Sequence, residues 1–313
     1  MRDPVAIVIV PRERFSLIKT CVEHIYAFTS EPFELFAVDV KMPGHIREWL
    51  NGWAKQHSNL KIVASEKYLY PYEAKNLAMA RIPNSIQWVA FVDSDVKVSP
   101  HWLTWLLKAA EETGARAVHP LYLIEQRGKV TIHMADGRFL KAKSDDRSLI
   151  HPQMNYVGRP ISEAGSFKRI QSDFVEFHTF MVRRDLLDEL GEFEPVALAE
   201  DVNFSFRLEA KKETIIFEPH SVITYVAGPP FEKYDLPYFR FRWNRQMGRK
   251  SIEFLQRRWP VPKHYWEGKL SWANFHYSPV SIWFRVRKSF KLWIADVQDF
   301  IKRGAKRLLP VGR

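Results

Sequence analysis

Cysteine is nearly absent from this chain of 313 residues: only Cys21 is present, so no disulfide can form within it. A reducing compartment is therefore expected, with the cytoplasm as the default. Long apolar runs are absent as well. The first, over Val5–Val10, is too short for the core of a signal peptide or for a membrane span, and no later run is long enough. These absences argue against a disulfide-stabilised secreted domain and against an integral membrane protein.

Charge of one sign is concentrated near the C-terminus. The chain carries a net charge of +11, with 18 Lys and Arg against 4 Asp and Glu over residues 238–313. The first 237 residues hold 29 basic and 32 acidic side chains, which is close to balance. The C-terminal part is thus a candidate surface for an anionic partner such as membrane phospholipid, a lipid diphosphate or nucleic acid.

Strands and helices are predicted to alternate over the first part of the chain. Apolar runs predict strands at residues 6–10, 33–38, 60–64 and 88–92, and helical patterns lie at 15–29, beyond Gly44 and at 72–80. This order is typical of an α/β fold with a mostly parallel sheet flanked by helices. We predict one domain over residues 1–237 and a basic, aromatic helical extension over 238–313.

The later elements are predicted with less regular spacing. Residues 129–134 and 138–143 are predicted to form a β-hairpin around Asp136-Gly137, and 144–167 an irregular loop. The remaining predictions are helices at 100–113, 184–190 and 202–210, and strands near Ala117 and at 175–182, 215–219 and 221–226.

Two carboxylates follow the buried strand at 88–92. Asp93 and Asp95 are one residue apart, so their side chains leave the strand on the same side and can share one cation. Ligands bind at this carboxyl edge in open α/β sheets, and hard oxygen ligands suit Mg²⁺ or Mn²⁺ carrying phosphates. The alternative is a surface turn whose Asp and Ser side chains cap the helix that begins near Pro100.

A second acidic pair, Glu200-Asp201, precedes the helix predicted at 202–210. Carboxylates stabilise a helix N-terminus by about 0.3–1 kcal/mol each, so this pair alone has a purely structural explanation. Near the C-terminus, residues 282–309 place apolar and aromatic side chains at helical spacing among basic ones. That stretch is either an amphipathic helix at a membrane surface or a helix that packs on the first domain.

Taken in order, these pieces resemble the family 2 glycosyltransferases of the GT-A (Rossmann-like) fold. The matching segments are the opening strand 5–10, Asp39 at the end of the second strand, Ala74-Lys75-Asn76-Leu77-Ala78, Phe91-Val92-Asp93-Ser94-Asp95-Val96, residues 180–193, Glu200-Asp201-Val202-Asn203-Phe204-Ser205-Phe206-Arg207-Leu208, and Arg249-Lys250-Ser251 with Trp259 beyond. None of these is specific alone, but the ordered set is.

The resemblance implies a glycosyltransferase that uses a nucleotide-sugar donor. Asp39 would reach the base or ribose, and Asp93 and Asp95 would handle the ribose and a Mn²⁺ or Mg²⁺ ion on the diphosphate. The neighbouring residues Pro11, Arg12, Lys75, Asn76 and Ser94 are expected to contribute to donor binding. A UDP-sugar, with UDP-glucose as the example, is the donor that the resemblance favours.

The resemblance also implies an inverting transfer in which Asp201 is the general base, with Glu200 beside it. Arg249, Lys250 and Trp259 would lie on the acceptor side. One position departs from the family pattern: Tyr225 stands where a histidine often completes the metal shell, and His220 is out of register. The sequence therefore leaves the third metal ligand open between another residue, phosphate and water.

Three functions remain open at this point. A transferase acting on a glycan or lipid-linked saccharide, in the cytoplasm and in peripheral contact with a membrane, is preferred. A transferase that modifies a hydroxylated DNA base would use the same basic and aromatic residues. A nucleotide-sugar-binding protein without turnover is the third, although Asp39, Asp93, Asp95 and Asp201 are all present.

Overall fold

A ten-stranded sheet forms the centre of the fold. The structure is a computed structural model and describes residues 3–144, 147–228 and 230–277. Its strands, with those of a separate two-stranded sheet, are β1 Val5–Val10, β2 Phe33–Val40, β3 Leu60–Ser65, β4 Trp88–Asp93, β5 Val96–Val98, β6 Ala117–Gln126, β7 Lys129–Met134, β8 Gly137–Ser144, β9 Arg147–Met154, β10 Ile170–Ser172, β11 Thr179–Arg183 and β12 Ile215–Val226. The helices are α1 Ile18–Phe28, α2 Gly44–Gln56, α3 Pro71–Met79, α4 Trp102–Thr113, α5 Arg184–Leu190, α6 Glu200–Ala210, α7 Leu236–Arg242, α8 Arg245–Arg258 and α9 Lys263–Tyr277.

The first four long strands confirm the predicted α/β class. They lie in the order β3-β2-β1-β4, all parallel, and every residue of β1 is buried. β11 then pairs antiparallel with β4, and β12 runs parallel to β6 on the far side. The sheet is therefore mostly parallel, with its central strand covered on both faces, as its continuous apolar sequence requires.

The hairpin predicted around Asp136-Gly137 is wrong. β7 pairs with β6, and β8 pairs with β9 in the separate two-stranded sheet. The tight turn lies instead at Arg127-Gly128, where both residues have positive φ, as a two-residue hairpin turn requires. At Gly137 the missing side chain makes room for Phe174, because a Cβ there would come within 2.6 Å of the Phe174 Cβ.

Two further sequence predictions need correction. The loop predicted at 144–167 contains β9 and a short 3₁₀ helix, Ile161–Ser166. The strand predicted from residue 175 begins only at Thr179, because the preceding segment turns out of the sheet. In that segment the backbone N–H of His178 donates to the Glu176 carboxylate at 2.7 Å rather than to a neighbouring strand. The strands predicted at 215–219 and 221–226 are one strand, β12, with an irregularity between Glu218 and Val222.

The described part of the C-terminal segment packs onto the sheet. Tyr238 and Trp266 are fully buried and belong to the same apolar cluster as β1 and β4. The Tyr238 hydroxyl lies 2.8 Å from the Pro11 carbonyl oxygen and 3.1 Å from that of Leu69. The predicted boundary at residue 238 thus falls within α7, and the amphipathic stretch at 282–309 lies outside the described residues. Within the described ranges, no helix is both long and apolar enough to cross a membrane.

The Gly137 contact leads to a stability prediction. Gly137→Ala should lower the free energy of unfolding by about 1–3 kcal/mol, because the new methyl group overlaps Phe174 in a packed region. Gly165→Ala is the matched control, since a Cβ there meets nothing within 4 Å. Urea unfolding monitored by circular dichroism measures both. Equal midpoints for the two variants would contradict the packing described here.

Candidate functional site

The carboxyl edge of the central strands gathers polar side chains from three segments. Val10 at the end of β1 pairs in register with Asp93 at the end of β4, so Arg12 and Asp93 leave the sheet together. Because β11 is antiparallel to β4, its first residue, Thr179, lies opposite Val92. The residue before it, His178, therefore lies beside Asp93, and its carbonyl oxygen accepts a hydrogen bond from the Asp93 N–H at 2.9 Å.

Asp93, Asp95 and His178 converge on one point. Each offers a ligand atom, these atoms lie within 4.8 Å of one another, and all three residues are buried. His178 Nδ1 is 3.1 Å from Asp93 Oδ2, whereas both Asp95 oxygens are buried without a hydrogen-bond partner in another residue. Burial raises the pKa of Asp95 to about 6 and that of Asp93 well above its usual value. Buried oxygens that lack partners suit a divalent cation, so the residues present fit a metal.

Further polar groups lie behind His178. Its Nε2 is 3.6 Å from Glu176 Oε2, and its ring centroid is 5.2 Å from that of His133. Burial raises the pKa of Glu176 to about 7 and lowers the pKa of His178 well below its usual value. The His133 pKa is lowered to about 3 by burial and by Arg12. Both imidazoles are therefore neutral at physiological pH, which is the form that coordinates metals.

The N-terminus of α6 brings a second acidic pair to the same site. Ala199 has φ 60° and turns the chain so that Glu200 and Asp201 occupy the first helical turn. Glu200 lies between two cations, with Lys75 Nζ at 3.5 Å and Arg242 Nη2 at 3.3 Å. Asp201 is half-buried and lines the pocket. The two carboxylates therefore differ, because Glu200 is held by an ion-pair network and Asp201 faces the open space.

A pocket of about 480 Å³ joins these groups. It is lined by Arg12, Asp93, His133, Met154, Glu176, Phe177, Leu198, Ala199, Glu200, Asp201, Arg242, Trp243, His264, Tyr265, Gly268, Lys269 and Trp272. The last five belong to α9, which covers one side. Burial lowers the pKa of Lys269, but the carboxylates of Asp201 and Glu176 raise it above its usual value overall. Lys269 is therefore a cation within electrostatic range of Asp201.

Some residues predicted from sequence line this pocket and others lie behind it. Arg12, Asp93, Glu200 and Asp201 line it. Lys75 is buried under the wall, with its ammonium 4.5 Å from the Phe177 ring centroid. Ser94 is buried and donates from its hydroxyl to the Arg14 carbonyl oxygen at 3.1 Å. The Pro11 carbonyl oxygen is occupied by Tyr238, as described above.

Other predicted residues lie away from the pocket. Asp39 accepts hydrogen bonds from the Met42 N–H at 2.7 Å and from Arg47 Nε at 2.5 Å. Asn76 uses both ends of its amide on the Phe193 backbone, at 2.9 and 2.8 Å. Arg249 and Lys250 are exposed on α8, and Trp259 stacks on Phe206 while donating to Asn203 at 2.8 Å. None of these is among the pocket-lining residues of the described chain.

Sequence reasoning missed His133, Glu176 and His178 as site residues, and it missed the position of α9 over the pocket. A usable signal was present at Glu176-Phe177-His178, which repeats the one-residue spacing of Asp93 and Asp95 just before a strand. The α9 residues were recognised only as part of a basic, aromatic stretch, since their position over the pocket depends on long-range packing.

Solved structures of similar fold are glycosyltransferases of the GT-A type. GalNAc-T7 with UDP, GalNAc and Mn²⁺ matches with a TM-score of 0.55 and 14% identity, over 88% of this chain and 58% of that one. The mannosyltransferase PcManGT of Pyrobaculum calidifontis, in complex with GDP-Man and Mn²⁺, gives 0.54 and 16%, over 88% and 70%. S. aureus TarS 1–349 with UDP-GlcNAc gives 0.50 and 14%, over 89% and 74%.

The sequence itself decides the family. This chain spans 58% of the GalNAc-T7 chain, and at these identities the structural likeness establishes the fold alone. No curated protein matches the sequence. The model of glycosyl transferase family 2, however, matches residues 6–191, which is more than half of the chain. The chain therefore belongs to glycosyl transferase family 2 and has the GT-A fold.

Proposed function

We propose that this chain transfers a sugar from a nucleoside diphosphate sugar to an acceptor hydroxyl. The observation that carries the proposal is one pocket that both Asp93 and Asp201 line. The buried, unpartnered Asp95 carboxylate lies behind Asp93 and supports a cation at the donor end. Membership of glycosyl transferase family 2 agrees with this chemistry.

Asp93 and Asp95 are the residues that we propose to hold Mn²⁺ or Mg²⁺ together with the donor diphosphate. When bound, such a cation stabilises negative charge on the leaving diphosphate as a Lewis acid. Arg12 supports the same end of the pocket, because its guanidinium Nε is 3.5 Å from Asp93 Oδ2. Two of the similar structures contain Mn²⁺, one with UDP and one with GDP-Man. The base and sugar of this chain's donor, UDP-glucose in our sequence prediction, are proposals.

Asp201 is proposed as the general base, which removes the proton from the attacking acceptor hydroxyl. Its neighbour Glu200 is tied to Lys75 and Arg242, so it fixes the start of α6 while the Asp201 side chain faces the pocket. A base separate from the proposed diphosphate site, in the same pocket, agrees with the single displacement that the family resemblance implies, which inverts the configuration at the anomeric carbon.

For the acceptor, we propose a saccharide that enters beside α9. Tyr265 and Trp272 give this wall flat aromatic surfaces near Asp201, and Lys269 adds a cation. The exposed face of α8 carries Arg249 and Lys250, outside the pocket. This arrangement fits an acceptor whose reacting end enters the pocket while an anionic carrier, such as a lipid diphosphate in a membrane, contacts the basic surface. DNA is the alternative carrier.

The buried carboxylates make metal binding depend on pH. Burial raises the Asp95 pKa from 3.8 to about 6, so the metal-free folded protein binds more protons than the unfolded chain between these values. The free energy of unfolding should therefore fall as the pH rises through this window, and protons should compete with Mn²⁺ within it. Differential scanning fluorimetry with Mn²⁺ plus UDP or GDP should show a larger rise in Tm at about pH 7.5 than at about pH 5.5.

Asp95→Asn should remove this Mn²⁺-dependent rise in Tm. Asp188→Asn is the matched control, because Asp188 is exposed on α5 and pairs only with Arg184 in the described chain. An equal Mn²⁺ shift at both pH values, or a shift that survives Asp95→Asn, would be inconsistent with the proposed metal site.

Different substitutions should impair donor binding and proton removal. Asp201→Asn should lower transfer by at least about a hundredfold, because an amide cannot act as the base, and should leave the nucleotide-dependent rise in Tm intact. Asp95→Ala should lose that rise. Transfer can be followed as nucleoside diphosphate release with a saccharide panel, and Glu209→Gln, exposed on the same helix, serves as the control. Equal loss of donor binding in both variants would contradict the division of roles.

The basic face of α8 provides a test of the carrier. Arg249→Glu with Lys250→Glu should weaken flotation of the protein with anionic liposomes at least about tenfold, since each basic residue contributes about 1 kcal/mol near such a surface. Lys55→Glu with Lys61→Glu, exposed near the opposite edge of the sheet, makes the same change of charge. Equal effects of the two pairs would argue against α8. DNA retardation without liposome binding would favour the alternative carrier.

A further inference from the structure

The His178 ring lies between two carboxylates. Its Nδ1 is 3.1 Å from Asp93 Oδ2, and its Nε2 is 3.6 Å from Glu176 Oε2 on the other side. The ring is 1% exposed, so neither nitrogen can rely on bulk water for a partner. A neutral imidazole carries one proton, and the two carboxylates therefore offer it two alternative positions.

Unpartnered atoms mark the Asp93 side as the place for a cation. Both Asp95 oxygens are buried without a hydrogen bond in the described chain, whereas the unpartnered His178 Nε2 faces Glu176. The ligand atoms of Asp93, Asp95 and His178 lie within 4.8 Å of one another. A cation at this point would take Nδ1 as a ligand, and the imidazole proton would then reside on Nε2, facing Glu176.

Glu176 is placed to hold that proton. Its Oε2 accepts the backbone N–H of His178 at 2.7 Å, so the carboxylate and the ring are fixed on the same short segment. A carboxylate that accepts from the distal nitrogen of a metal-bound histidine sets its tautomer and orientation. The contact between Nε2 and Oε2 needs to shorten by only a few tenths of an ångström to become a hydrogen bond.

Tyr225 packs against the imidazole of His178. Its ring stacks on His178 with centroids 3.8 Å apart and an interplanar angle of 21°. Tyr225 belongs to β12 and pairs with Val96 of β5, directly after Asp95. Tyr225, at the position where the family often has a metal-binding histidine, therefore packs against the His178 imidazole. The Arg12 guanidinium lies 4.7 Å from the Tyr225 ring centroid.

We propose that His178 is the third protein ligand of the cation at Asp93 and Asp95, through Nδ1, and that Glu176 positions it through Nε2. The proposal rests on the proposed function for the presence of the cation. A competing set, His133, Glu176 and His178, also converges within 4.8 Å. The aspartate set is favoured because it holds the buried unpartnered oxygens of Asp95, which the competing set does not explain.

Pulsed electron paramagnetic resonance of Mn²⁺ bound to the full chain tests this directly. A coordinated nitrogen should appear in the wild type, and [¹⁵N]histidine labelling should change its coupling, which requires no variant. His178→Gln should abolish the nitrogen signal and weaken Mn²⁺ binding at least about tenfold. Glu176→Gln should keep the signal and weaken binding by roughly 10- to 100-fold, as loss of a partner to a metal-bound histidine does. His133→Gln should change neither.

The outcomes separate this inference from the proposed function. Mn²⁺ binding that requires Asp95 but shows no histidine nitrogen would overturn the inference and leave the proposed metal site standing. A nitrogen signal lost in His133→Gln but kept in His178→Gln would also overturn it, in favour of the competing set. Absence of any Mn²⁺ binding by the wild type would overturn both. Circular dichroism spectra and the Tm of each variant identify those that fail to fold.

Discussion

The structure depends on the burial of two adjacent carboxylates at the end of β4. Asp93 and Asp95 cannot reach bulk water, and removing an ionised carboxylate from water costs several kcal/mol unless a partner offsets it. Arg12 offsets part of this at 3.5 Å from Asp93, and the charges of Arg12 and Arg14 both oppose the rise that burial causes in the Asp95 pKa. The Arg14 guanidinium itself donates to Glu13 and to the backbone oxygens of Val226 and Pro230. The remaining cost is electrostatic, and a divalent cation bound there, as we propose, would remove it. Ligand affinity and local stability are therefore linked at this position.

Sheet topology determines which side chains surround the buried carboxylates. A wholly parallel sheet would give Asp93 neighbours only from strands that end at the same edge. Antiparallel β11 brings the start of a strand there instead, so His178 lies beside Asp93 although 85 residues separate them in sequence. The segment before β11 is not a regular strand. In it the Glu176 carboxylate, rather than a neighbouring strand, accepts the hydrogen bond from the His178 N–H.

Local sequence was sufficient to predict the parallel strands, the position of the aspartate pair at the end of β4 and the position of Glu200-Asp201 at the start of α6. Period, run length and end position are properties of contiguous residues. It was misleading at Asp136-Gly137, where the glycine serves a packing contact with Phe174 that no local pattern reveals. It could not place His178 beside Asp93 or α9 over the pocket, because both placements depend on long-range packing. Asp39 and Asn76 show the converse, since their motif positions matched while their side chains are occupied by Arg47 and by the Phe193 backbone.

The residues that line the pocket come from two parts of the chain, one inside the family match and one beyond it. The family match ends at residue 191, and it contains Arg12, Asp93 and His178. Asp201, Arg242 and the α9 residues lie beyond it, yet they line the same pocket. In the function that we propose, donor chemistry draws on the shared part of the fold, whereas the groups proposed to meet the acceptor come from a segment held by packing of Tyr238 and Trp266. Since α9 rather than the sheet supplies five of the pocket-lining residues, we expect, under the proposed function, that substitutions on α9 alter acceptor choice without disturbing the buried carboxylates.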